Sequence, residues 1–166
     1  MRHLAINIFL LSVISFSSIF ARAAESTADT SCTFQDGKQI SVRYNQVSFT
    51  GKNELRSGKV WAPDNQPIVL FTQAELSAGG SDVPVGAYSV YLRGGKESWT
   101  LIVNKNVNAG SHYEAKQDLA HINMPLAGLS QPQNQLNLAF GLLGPKQCNL
   151  RVYYGSYGTW AEFDEK

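Results

Sequence analysis

The stretch Leu136-Asn137-Leu138-Ala139-Phe140-Gly141-Leu142, then Gly144-Pro145, then Leu150-Arg151-Val152-Tyr153-Tyr154, decides the fold. Large apolar side chains recur at every second position on both sides of the Gly-Pro break. A strand turns successive side chains to opposite faces, so a period of two buries one face and leaves the other in water. Gly and Pro between two such runs end one strand and begin the next. Ile40, Val42 and Tyr44 repeat the pattern around Ser41 and Arg43.

Turn chemistry falls between these runs. Asp36-Gly37 separates Thr33-Phe34 from Gln39-Ile40, and both residues tolerate the positive φ of a two-residue hairpin turn. Pro84 and Gly86 fit positions two and four of a tight turn before a strand over Ala87–Leu92. Gly94-Gly95 sets that strand apart from Trp99–Val103, and a further strand is expected over Ile68–Thr72. Such signals recur roughly every 8–15 residues, the spacing of an all-β sandwich or barrel. The predicted fold is therefore all-β: an antiparallel β-sandwich, or a partly closed barrel. One or two short helical turns are expected within Glu114–Ile122 and Gln73–Leu76.

The chain has 166 residues, enough for one ordinary domain. Its 43% hydrophobic against 16% charged residues can build a core, which excludes disorder. Fourteen Lys and Arg balance thirteen Asp and Glu, a formal net charge of +1. That leaves no basic surplus to neutralise phosphates, and no nucleic-acid partner is expected.

The first 23 residues read as an export signal. Arg2 gives a positive start, Leu4–Phe20 is mostly apolar, and Ala21-Arg22-Ala23 supplies a small-x-small cleavage pattern. With Ser12, Ser15, Ser17 and Ser18 inside it, the apolar run is short for a span of about 20 residues. The expected product is periplasmic or secreted, with no membrane span after cleavage. Residues 24–31 are small and polar and are expected as a flexible leader, with residues 32–166 as the single domain. In an oxidising compartment the two cysteines, Cys32 and Cys148, are expected to pair. Closing a loop of that length is assigned about 4–5 kcal/mol by the chain-entropy account.

Catalytic motifs are missing from the sequence. No Gly-x-Ser-x-Gly elbow, P-loop, dinucleotide fingerprint or EF-hand loop occurs, so neither a cofactor nor a catalytic residue is expected. His112 and His121, with Glu114 or Asp118, offer two imidazoles and a carboxylate, the donor set of a small metal-assisted hydrolase. Their spacing matches no compact ligand motif, and on one continuous strand the two histidines would face opposite ways. A metal site is therefore the alternative reading. The favoured one is a non-catalytic binding or structural module of the cell envelope, taking an unidentified small ligand or envelope component. Trp61, Trp99, Trp160 and several tyrosines offer flat faces for a sugar ring or a peptide. Trp61 heads the turn-rich loop Ala62–Pro67. The residues expected to bind are Trp61, Asn65, Tyr113 and Asp118.

Four segments together resemble the DUF2911 domain family of bacterial exported proteins. They are Gly51-Lys52 with Gly58-Lys59-Val60-Trp61; Val83-Pro84-Val85-Gly86-Ala87-Tyr88-Ser89-Val90-Tyr91; Trp99–Lys105; and Tyr113–Ala120. The resemblance spans roughly residues 33–163 and implies an exported, mostly β domain of unassigned activity; it supplies no catalytic residue. Family members commonly carry Trp-Arg and then Gly-Ala-Asn, where this chain has Trp61 followed by Ala62-Pro63-Asp64-Asn65. His121 stands where arginine is usual.

Overall fold

The computed structural model describes residues 26–51, 55, 58–108 and 112–166. The export signal expected over residues 1–23 lies outside the described residues.

Among the described residues, eleven strands form two packed antiparallel sheets. The larger sheet has the order β1(Ser26–Thr33), β2(Gln39–Gln46), β4(Ile68–Thr72), β7(Gly86–Arg93), β8(Ser98–Asn104), β9(Asp118–Pro125), with the short β3(Val60–Trp61) also on β7. The smaller runs β10(Ala127–Gly144), β11(Gln147–Glu165), β5(Leu76–Ala78), β6(Ser81–Val83). Beyond β2, the two sheets join at a corner. Leu136 N donates to Val47 O at 2.9 Å, and Phe49 N to Asn134 O at 2.7 Å. The sandwich expected from the alternation is the fold found; the sheets do not close into a barrel.

Alternation places the core. Ile40, Val42 and Tyr44 of β2, and Leu150, Val152 and Tyr154 of β11, turn inward and are buried, together with Val90, Leu92, Leu101 and Val103 of the central strands. On β10 the pattern holds for Leu136 and Leu138 and fails at Leu142, which is 59% exposed. Leu142 pairs with Cys148 close to the hairpin tip and is open to solvent there.

Three local expectations need correction. Residues 26–31, expected as a flexible leader, belong to β1, which pairs residue by residue with β2 from Ser26↔Gln46 to Thr33↔Gln39. Thr and Ser are tolerated in strands, and the ladder supplies the backbone partners that their small side chains do not. The Asp36-Gly37 turn is a three-residue loop. Phe34 N donates to Lys38 O and Gly37 N to Phe34 O, with Gly37 at φ 91°, the arrangement of a type I turn ending in a glycine bulge. Among the described residues, helical structure is confined to 3-10 turns at Pro63–Asn65 and Ala115–Gln117. At Gln73–Leu76 there is a bend instead, in which the Thr72 hydroxyl donates to Ala74 O and accepts from Ala74 N.

Cys32 is the penultimate residue of β1 and Cys148 the second residue of β11, and the two are joined by a disulfide. The bridge therefore crosses from one sheet to the other and ties together positions 116 apart in sequence. Both cysteines are buried.

Candidate functional site

Of the four residues expected to bind, Tyr113 and Asp118 meet on the outer face of the larger sheet, Trp61 faces inward, and Asn65 stands in a turn. Tyr91 sits on β7 between the core residues Val90 and Leu92, so its side chain faces away from the core. It is nevertheless only 4% exposed. Tyr113 explains this, since its ring lies edge-on to that of Tyr91 with centroids 5.1 Å apart. Ile102, paired with both Tyr91 and His121, is buried on the same outer face.

Asp118 and Asn104 fasten this cover. The Tyr113 hydroxyl donates to Asp118 Oδ2 at 2.7 Å, and Asn104 Nδ2 donates to Asp118 Oδ1 at 2.8 Å and to Glu114 O at 2.9 Å. Asn104 Oδ1 accepts from Asn106 N at 2.9 Å. His121 Nε2 lies 2.8 Å from Asp118 Oδ2 and donates to it when that nitrogen carries the proton. Asn104 is fully buried, and every polar atom of its side chain is used by the network. Burial, then the bond to Asp118, raise the Tyr113 phenol to about 12. The arrangement clamps Tyr113 and the turn at Ala115–Gln117 onto the sheet. One polar atom here is left over: Tyr91 Oη is buried and has no partner.

The two histidines do not act together. His112 is exposed and outside the network, and the Glu114 carboxylate turns to Lys116 Nζ at 3.4 Å. Among the described residues no group of three His, Cys, Asp or Glu side chains is placed to hold a metal ion. The donor set of the hydrolase alternative is not assembled.

Trp61 faces the other way, into the space between the sheets. It pairs with Leu92 through β3, and its ring lies 5.4 Å from that of Tyr154 on β11. Asn65 stands in the following turn, exposed, at φ 57°. Asparagine accepts that left-handed backbone more readily than most residues, which accounts for it locally.

Behind Tyr154 lies a cleft of about 410 Å³. Phe49, Trp99, Tyr154 and Tyr157 supply aromatic walls, Leu55 and Leu126 add apolar surface, and Lys96 and Ser156 are the polar residues. Trp61 backs one wall through Tyr154, and Phe49 meets that tyrosine edge-on at 5.3 Å. Trp99 and Tyr157 form a second edge-on pair at 6.2 Å. Gly155, at φ 58°, turns β11 along the rim; a Cβ there would lie 2.7 Å from the Phe49 ring. Lys96 is exposed and forms no ion pair among the described residues.

Sequence reading named Trp61 but not the cleft it supports. Trp99 and Tyr157 were visible as aromatics. Their partnership was not, because it joins β8 to the bend of β11 through a contact that no local pattern encodes.

No curated protein and no solved structure matches this chain. The segments at Val83–Tyr91, Trp99–Lys105 and Tyr113–Ala120 contribute Tyr91, Asn104, Tyr113 and Asp118 to the clamp, so three stretches apart in sequence meet at one place in the fold. The family model for DUF2911, described as a protein of unknown function, matches residues 26–160, and the chain belongs to that family.

Proposed function

We propose that this protein is an exported, non-catalytic binding module that takes a small ring-bearing ligand with an acidic substituent in the cleft beside Trp99. The observation that carries this reading is the cleft itself. Its volume of about 410 Å³ falls in the range of small-molecule sites, and its aromatic walls alternate with polar surface of similar extent. Flat aromatic faces favour a flat apolar ring. Lys96, without a carboxylate partner among the described residues, favours a negative group on that ring. Export is supported by Arg2, the apolar run and Ala21-Arg22-Ala23, and by a disulfide that suits an oxidising compartment. Among the described residues no helix is long and apolar enough to cross a membrane.

Thermal unfolding against a panel of aromatic and sugar acids tests the reading. A ligand at 100 times its Kd stabilises by about 2.7 kcal/mol, and that shift should shrink in Lys96→Ala and Tyr157→Ala. Both side chains are exposed, so neither change threatens the fold. No stabilisation by any member of the panel would count against the cleft as a ligand site.

A further inference from the structure

The outward face of the smaller sheet carries a second feature, separate from the cleft. β11 doubles back on itself: Glu165 N donates to Lys146 O at 2.7 Å, and Gln147 Nε2 donates to Asp164 Oδ1 at 2.8 Å. The two halves of one long ribbon thus lie side by side, and Tyr153 approaches Gly158 to 3.3 Å of where a Cβ would stand. A groove of about 270 Å³ runs over this surface, walled by Trp160, Tyr153 and Leu129 and floored by Gly158, with Arg151 and Asn149 at its polar end.

Hydrogen-bonding capacity in that polar end is not consumed by the fold. Asn149 is only 7% exposed, yet its Oδ1 has no partner. Arg151 Nη2 and Asn149 Oδ1 both fall 2.8 Å from the position of a Cβ on Gly141, so only glycine leaves both side chains in place. Arg151 is exposed and has no carboxylate within ion-pair distance among the described residues. Trp160, 38% exposed, is a large aromatic left open to solvent on a sheet face. Glu162 follows on the same ribbon, exposed and likewise unpaired.

We propose that this groove binds an acidic polysaccharide, one sugar ring lying on Trp160 and its carboxylate taken by Arg151. A planar guanidinium donates two parallel hydrogen bonds to a carboxylate, and an unpaired one favours a negative partner over a neutral one. Lifting Arg151 from Gly141 toward the ligand uncovers Asn149 Oδ1, which then accepts a sugar hydroxyl. The groove lies on a sheet face and is less enclosed than the cleft beside Trp99, so it suits a chain laid across it, whereas the cleft suits a single ring.

Isothermal titration of the whole protein with oligogalacturonate, with alginate oligomers and with fully methyl-esterified oligogalacturonate tests this. The ester keeps the sugar backbone and removes the charge. Binding of at least one acidic chain is expected. Trp160→Ala should weaken it roughly tenfold, the usual scale for losing an aromatic anchor, and Arg151→Gln should erase the preference for acid over ester. Lys105→Ala, exposed and outside both the groove and the cleft, should change nothing. No binding of either acidic chain, an unchanged affinity in Trp160→Ala, or equal binding of acid and ester by the wild-type protein would each overturn the proposal.

Discussion

The Tyr113 hydroxyl donates to Asp118 Oδ2 at 2.7 Å, and this bond closes the cover over the outer face of the larger sheet. It also gives the cover a dependence on pH. The phenol is raised to about 12 by burial first and by Asp118 second, against an unfolded value of about 10. A raised value means that the neutral phenol is the form the fold prefers. Its contribution is complete below pH 10 and disappears as pH climbs through 12. Urea unfolding between pH 8 and 12 should show the wild type losing stability across that window relative to Tyr113→Phe, which has no phenol to ionise. Parallel profiles would contradict the assignment.

Asn104 should be the more costly loss. Removing its side chain strips a donor from Asp118 and from Glu114 O and an acceptor from Asn106 N in one step. Hydrogen bonds to a charged partner are worth about 1.5–3 kcal/mol, so Asn104→Ala should destabilise by at least about 2 kcal/mol in denaturant titration. Amide exchange should quicken first at residues 106–108 and 112–117. Protection there equal to wild type would remove the clamp from the account.

Two glycines with positive φ should respond differently to alanine. At Gly79 (φ 58°) a Cβ would lie 2.4 Å from the His121 carbonyl oxygen, a backbone atom that cannot swing aside. At Gly37 (φ 91°) nothing lies within 4 Å. Gly37→Ala should cost about 1–2 kcal/mol, the backbone term alone, and Gly79→Ala clearly more. Equal losses would mean that β9 and the β5–β6 turn are less closely packed than described.

The disulfide joins the two sheets, so its loss should loosen the whole fold. Cys32→Ala/Cys148→Ala should lower stability by about 2–5 kcal/mol, read from the urea midpoint under oxidising conditions. Two alkylatable thiols in the untreated wild-type protein would refute the pairing.

Architecture was written in the sequence more openly than the site. Period-two runs at Ile40–Tyr44 and Leu150–Tyr154 specify which side chains go inward, because a one-residue slip would turn every one of them to water. Turn residues at Asp36-Gly37 and Gly144-Pro145 mark the hairpins independently. The strand at Ser26–Ser31 escaped notice because its side chains are too small and polar to alternate; only the ladder with β2 makes it a strand. The clamp was half legible. Tyr113 and Asp118 stood out, but the buried Asn104 that binds Asp118 comes from another strand. The cleft was least legible, since Phe49, Trp99 and Tyr157 meet only when β11 bends at Gly155 and the sheets pack.

The central functional claim is that the cleft beside Trp99 receives a ring-bearing acid. Two-dimensional amide NMR of the protein, titrated with the panel of aromatic and sugar acids, tests it most directly. Saturable shifts confined to Lys96, Ser156, Tyr157 and their neighbours, abolished in Lys96→Ala, are the predicted result. Shifts clustered elsewhere, or none with any acid at millimolar concentration, would contradict it.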